Sequence, residues 1–96
     1  MREVRHAAAT GRSISSVRNL GPKSATMLAE AGIRTREELA ALGPVKAYLR
    51  VKALRPTSAS LNLLWALAAG LAGRDWRDLT AAEKQALTAE LRLLRR

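Results

Sequence analysis

The feature that most constrains this chain is its punctuation. Gly21-Pro22, Gly32, Gly43-Pro44, Pro56 and Gly73 interrupt it at intervals of roughly ten to seventeen residues. A proline ring fixes φ and removes a backbone donor, so it opens a helix readily but is excluded from a helix interior. Glycine closes helices by adopting a left-handed conformation. No helix between these breakers can be long, and alternating β-branched runs that would read as strands are absent. The expected fold is all-α: a compact bundle of five or six short helices with tight connections.

The residues between the breakers spell out those helices. Pro22 opens one over 22–31, burying Ala25, Leu28 and Ala29, with Gly32 as its exit. Thr35 and Glu38 have the spacing of a capping box, with Leu39 and Leu42 facing inward. A third helix over 44–54 is stopped by Pro56. Ser58 or Ser60 caps a fourth reaching about residue 72, whose Leu61, Leu63, Leu64, Trp65, Leu67 and Leu71 surround its axis; a helix apolar all round belongs at the centre. Asp75 starts a single turn. Thr80 and Glu83 form a second capping box for a helix over 81–95, where Leu87, Leu91 and Leu94 make one face, widened by Ala86 and Leu93. Residues 1–15 lack periodicity and are expected to be a tail, with a helical stretch near 3–9; the folded domain is expected over 16–96.

Composition removes most chemistries. There is no Cys and one His, His6, without an acidic or nucleophilic neighbour, so thiolate metal sites and catalytic triads have no basis. Asp75 and Asp78 read as caps of a turn, since two carboxylates alone make a poor Mg²⁺ site. No Gly-rich nucleotide loop is present. No catalytic residue, cofactor, metal or small-molecule substrate is expected. The uncharged stretch from Pro56 to Gly73 has an apolar centre over 63–72, short of the ~20 residues that span a bilayer. No membrane partner is expected, and the expected location is the cytoplasm.

The formal charge of +9, from 17 Lys+Arg against 8 Asp+Glu, fits a polyanion partner. The cations are spread along the chain, however, and Arg92, Arg95 and Arg96 have a local explanation at a helix C-terminus. One segment could turn charge into a site. Arg18-Asn19-Leu20-Gly21-Pro22-Lys23-Ser24-Ala25 opens a helix, where N–H groups of Gly21, Lys23, Ser24 and Ala25 could face a phosphate. Arg18, Lys46 and Arg50 could assist Lys23 in contacting the backbone of a nucleic acid. The segment resembles a helix-hairpin-helix motif, usually Gly-x-Gly before the helix, with Asn19 in place of the first glycine. Tyr48 beside Lys52 and Arg55 could be read as a stacking surface, but with only 3% aromatic residues Tyr48 and Trp65 are expected in the core. Trp76 is expected as a lid over the junction of the last two helices.

A wider pattern runs through Val17-Arg18-Asn19-Leu20-Gly21-Pro22-Lys23-Ser24, Ala31-Gly32-Ile33-Arg34-Thr35, Leu42-Gly43, Ala47-Tyr48-Leu49-Arg50-Val51-Lys52, Leu61-Asn62-Leu63-Leu64-Trp65-Ala66-Leu67 and Gly73-Arg74-Asp75-Trp76. Over about 16–94 it resembles the C-terminal domain of the TfoX/Sxy family of competence regulators. The resemblance implies a helical fold related to helix-hairpin-helix and SAM-like domains. It also implies a place near DNA transformation or transcription regulation, in longer proteins with a separate N-terminal domain or in stand-alone C-terminal domains. A stand-alone accessory role is expected here. Two modes of action follow: protein interaction, by homodimerisation or with a transcription regulator, or binding of the DNA backbone without sequence preference.

Overall fold

A computed structural model describes residues 14–95. The tail expected over 1–15, its helical stretch and His6 lie outside them, apart from Ile14 and Ser15. A short 3-10 turn (Ile14–Ser16) leads to α1 (Pro22–Glu30), α2 (Arg36–Leu42), α3 (Pro44–Leu54) and α4 (Leu61–Leu71). A second 3-10 turn (Trp76–Asp78) then precedes α5 (Ala81–Leu94). The described residues contain no strand, so the fold is all-α, as the punctuation requires.

The local signals act as their chemistry dictates. Pro22 and Pro44 occupy the first turns of α1 and α3. Both capping boxes form: Thr35 accepts from the Glu38 N–H while Glu38 reaches back, and Thr80 and Glu83 do the same at α5. Gly32, at φ +87°, closes α1, and the Ile33 N–H turns back to the Leu28 carbonyl at 2.8 Å. Ser60 is the N-cap of α4 by position, but its side chain makes no capping bond.

The centre of the bundle is α3, which packs against each of the other four helices. It buries Val45, Ala47, Tyr48 and Val51. Helix α4, expected to hold that place, buries Leu63, Leu64, Trp65, Leu67, Ala69 and Gly70, but leaves Leu61 exposed at its first turn. Tyr48 and Trp65 are core residues, and the Lys84 ammonium lies 5.5 Å from the centre of the Trp65 ring. The N-terminal segment is integral to this packing. Ile14, Val17 and Leu20 belong to the core, and Ile14 is only 2% exposed, so the packed unit reaches ahead of the expected boundary at residue 16.

The last helix departs from its expected face. Leu91 is buried and Leu87 half-buried, whereas Leu93 and Leu94 are 63% and 41% exposed. Each helical residue advances ~100°, which puts Leu93 on the side opposite Leu91. Leu94 is the final residue of the helix, beyond the last buried turn. No helix among the described residues is long and apolar enough to cross a membrane.

Candidate functional site

The hairpin segment is built around an asparagine in a left-handed conformation. Asn19 has φ 74°, a geometry that few non-glycine residues adopt and Asn tolerates best. Its side chain reaches across the fold: Nδ2 donates to the Arg74 carbonyl at 2.8 Å, and Oδ1 accepts from the Trp76 N–H at 3.2 Å. The position where a helix-hairpin-helix motif carries its first glycine is thus used to clasp the 74–76 segment against the hairpin. Behind it, Gly70 of α4 lies so close to the hairpin that a β-carbon there would collide with the Arg18 carbonyl oxygen and come within 2.9 Å of Val17 Cγ1.

The clasp sets up a shallow cleft. Asn19, Ser24 and Met27 form one wall, Asn62, Leu63 and Ala66 of α4 the other, and Trp76 closes one side, around a volume of ≈ 300 Å³. Trp76 is 38% exposed. It lines this cleft between α1 and α4 rather than covering the junction of the last two helices, which Arg74 and Leu79 line instead. The hydrogen bond from its backbone to Asn19 carries it toward α1 and α4. Its neighbours Arg74, Asp75, Arg77 and Asp78 were the signal in the sequence, since a charged run is a poor setting for a buried ring.

Of the residues nominated for phosphate contact, the structure gathers some and separates others. The Lys23 and Ser24 N–H groups, in the first turn of α1, have no intrahelical acceptor, and the N-cap Gly21 has no side chain to accept from them. Ala25 leaves this group, because its N–H donates to the Gly21 carbonyl at 3.0 Å. Arg18 lies beside the hairpin, 3.7 Å from Asp75. Lys46 and Arg50, one turn apart on the exposed side of α3, belong elsewhere. Arg50 lines a separate cleft of ≈ 320 Å³ with Gly32, Ile33, Glu38, Ala41 and Leu42, at the far end of α1 from Lys23. The two cation groups do not converge on one site.

Asp75 is a cap, as expected. It accepts from the Arg77 backbone N–H at 2.9 Å, and from its guanidinium Nε and Nη2 at 3.1 Å each. The Arg77 guanidinium, helped by that backbone bond and by Arg18, holds the Asp75 carboxyl down at about 2. Glu83 is held at about 2 as well, chiefly by Arg74, whose guanidinium bonds it at 2.6 and 3.1 Å. Asp75 and Glu83 are both engaged in internal pairs, whereas the exposed Asp78 carboxylate on the Trp76 turn has no ion-pair partner among the described residues. Among the described residues Lys23 has no ion-pair partner.

A family model described as the TfoX C-terminal domain matches residues 10–91. No curated protein matches the chain. A crystal structure of an uncharacterized protein from Listeria monocytogenes is similar, with a TM-score of 0.76 and 29% identity, covering 85% of this chain and 92% of that one.

Proposed function

The chain belongs to the TfoX C-terminal domain family, and from that premise we propose that it is a non-catalytic interaction domain. It serves as an accessory to the regulation of competence and DNA transformation in the cytoplasm. It acts by docking another protein, a transcription regulator or a second copy of itself. The observation that carries this reading is Trp76, an indole left 38% exposed although the core has few large side chains to spare. Large aromatic residues held rigidly at a surface are typical anchors of protein interfaces.

The test is affinity capture with the wild-type chain and a Trp76→Ala variant, alongside light scattering at high concentration. The expected result is a protein, or a second copy, retained by the wild type and lost from the variant. Recovery of nucleic acid alone, from a strictly monomeric protein, would overturn the reading. A second mode, binding of the DNA backbone, has one specific support: the uncapped start of α1 beside Lys23, which has no ion-pair partner among the described residues. It predicts duplex binding that falls steeply with salt and is lost in Lys23→Glu.

A further inference from the structure

We infer that α5 is a hinged cover. It undocks from the domain as one unit while α1 to α4 stay folded, and in doing so uncovers Trp65 and the side of α3 beneath it. The inference stands independently of the protein-docking reading and of the cleft beside Trp76.

Three observations lead to it. First, α5 is the longest helix and the least anchored. Of its 14 residues Leu91 alone is buried, with Leu87 half-buried, whereas α3 buries four residues of 11 and α4 six of 11. Its outer face carries Ala82, Ala86, Ala89 and Leu93, all exposed. An element with so few buried apolar contacts opens at a lower free energy than the core it rests on. A helix of this length is marginal in water by itself, so α5 loses helix as it undocks, and its backbone amides report the event.

Second, the contact between α5 and α4 is hollow. Ala68 and Ala72 of α4 meet Ala86 and Leu87 of α5 around an open cleft of ≈ 250 Å³, which Leu79, Arg74 and Glu83 also line. Side chains around such a gap forgo the dispersion contacts of a close-packed interface. The ties on this side are polar instead. The Lys84 ammonium lies 5.5 Å from the centre of the Trp65 ring, and Arg74 pairs with Glu83 through side chains 38% and 41% exposed. Ion pairs so open to water hold weakly.

Third, the link to α5 has the form of a hinge. Leu79 and Thr80, between the Trp76–Asp78 turn and α5, are both extended, with ψ 129° and 164°. The Leu79 N–H reaches the Trp76 carbonyl only at 3.4 Å. The segment just before them is tied down, since Asn19 bonds both Arg74 and Trp76. A change of backbone angles is thereby confined to the two linking residues, as at other hinges. With α5 open, the domain presents the Trp65 indole, only 8% exposed when α5 is closed.

Native-state hydrogen exchange of the full chain, followed by NMR over a series of low urea concentrations, tests this. The Leu87, Thr88 and Leu91 amides of α5 should exchange at least about tenfold faster than those of Tyr48 and Val51 in α3 and Leu67 in α4. They should share one shallow dependence on urea, because opening α5 exposes less surface than unfolding the whole domain. Thr35→Ala weakens a cap on α2, remote in sequence from α5. It should speed the α3 and α4 amides by about fivefold, as the loss of one cap implies, and leave the α5 amides unchanged. Amides of α5 that follow those of α3, in urea dependence or in their response to Thr35→Ala, overturn the inference. Protection that falls away residue by residue toward Leu94, with no shared urea dependence, is fraying and overturns it too.

Discussion

The carbonyl oxygen of Arg18 occupies the space that a β-carbon on Gly70 would need. Helix α4 therefore meets the hairpin backbone to backbone, and the smallest residue is required inside an otherwise apolar helix. Gly70→Ala would raise helix propensity by about 1 kcal/mol. The clash opposes it, and a backbone carbonyl cannot rotate away as a side-chain tip can. Overpacking of this kind costs about 1–3 kcal/mol and wins. Urea denaturation of Gly70→Ala should show a lower midpoint, with chemical-shift changes spreading to Val17, Arg18 and Asn19.

Asn19 combines two roles that substitutions can separate. Glycine at this position keeps the left-handed backbone, which costs most other residues about 1–2 kcal/mol, but loses both side-chain bonds. Each such bond contributes about 0.5–1.5 kcal/mol. Alanine loses the bonds and meets the backbone strain as well. Stability should fall in the order wild type, Asn19→Gly, Asn19→Ala. Both variants should increase the mobility of the Trp76 indole, read by fluorescence anisotropy in a Trp65→Phe background. An Asn19→Gly variant as stable as the wild type, with Trp76 equally rigid, would show the clasp to be idle.

How much of this was legible in the sequence follows the range of each interaction. Helix starts and stops depend on neighbours a few residues apart, so Pro22, Pro44, Gly32 and the two capping boxes could be read directly. The clasp joins residues 57 apart, and no local window contains it. The same holds for Gly70, whose need for glycine arises from Arg18 and cannot be seen within its own helix. Leu93 and Leu94 of α5 look like core from composition alone, yet both are exposed. Gly21, Lys23 and Ser24 stand together at the start of α1, as the local pattern says, yet Ala25 is already bonded and Arg50 lies in a different cleft. Where the single ring of Trp76 points is decided by tertiary contacts with α1 and α4, which no local pattern encodes.

The three serine and threonine N-caps should not behave alike. Thr35 and Thr80 each accept a bond from the N–H three residues on, while Ser60 makes no capping bond. Thr35→Ala and Thr80→Ala should each destabilise the protein by about 1 kcal/mol. Ser60→Ala should stay within about 0.5 kcal/mol of the wild type, as surface changes usually do. Thermal melts of the three single variants, at one pH and salt concentration, check the contrast.

Acid should weaken the fold through two identified carboxylates. Asp75 and Glu83 are both held at about 2, below the ordinary carboxylate range they regain on unfolding. A carboxyl with a depressed folded-state value contributes stability above its unfolded value, and loses it as pH falls toward the folded one. Melting temperature should therefore be level near neutrality, begin to fall below about pH 5 and decline until about pH 2. Arg74→Met removes the guanidinium that chiefly holds Glu83 down. In that variant the Glu83 carboxyl should titrate higher than in the wild type by carbon-detected NMR, but still below the ordinary range because the Thr80 N–H keeps its bond to it, with Asp75 unmoved, since Arg77 and Arg18 still face it. The acid decline of the variant should be shallower by the share the Arg74 pair supplied, and added salt should flatten it in both proteins because the pairs are exposed. An unchanged Glu83 titration in Arg74→Met would show that its backbone bond to Thr80, and not Arg74, sets the value.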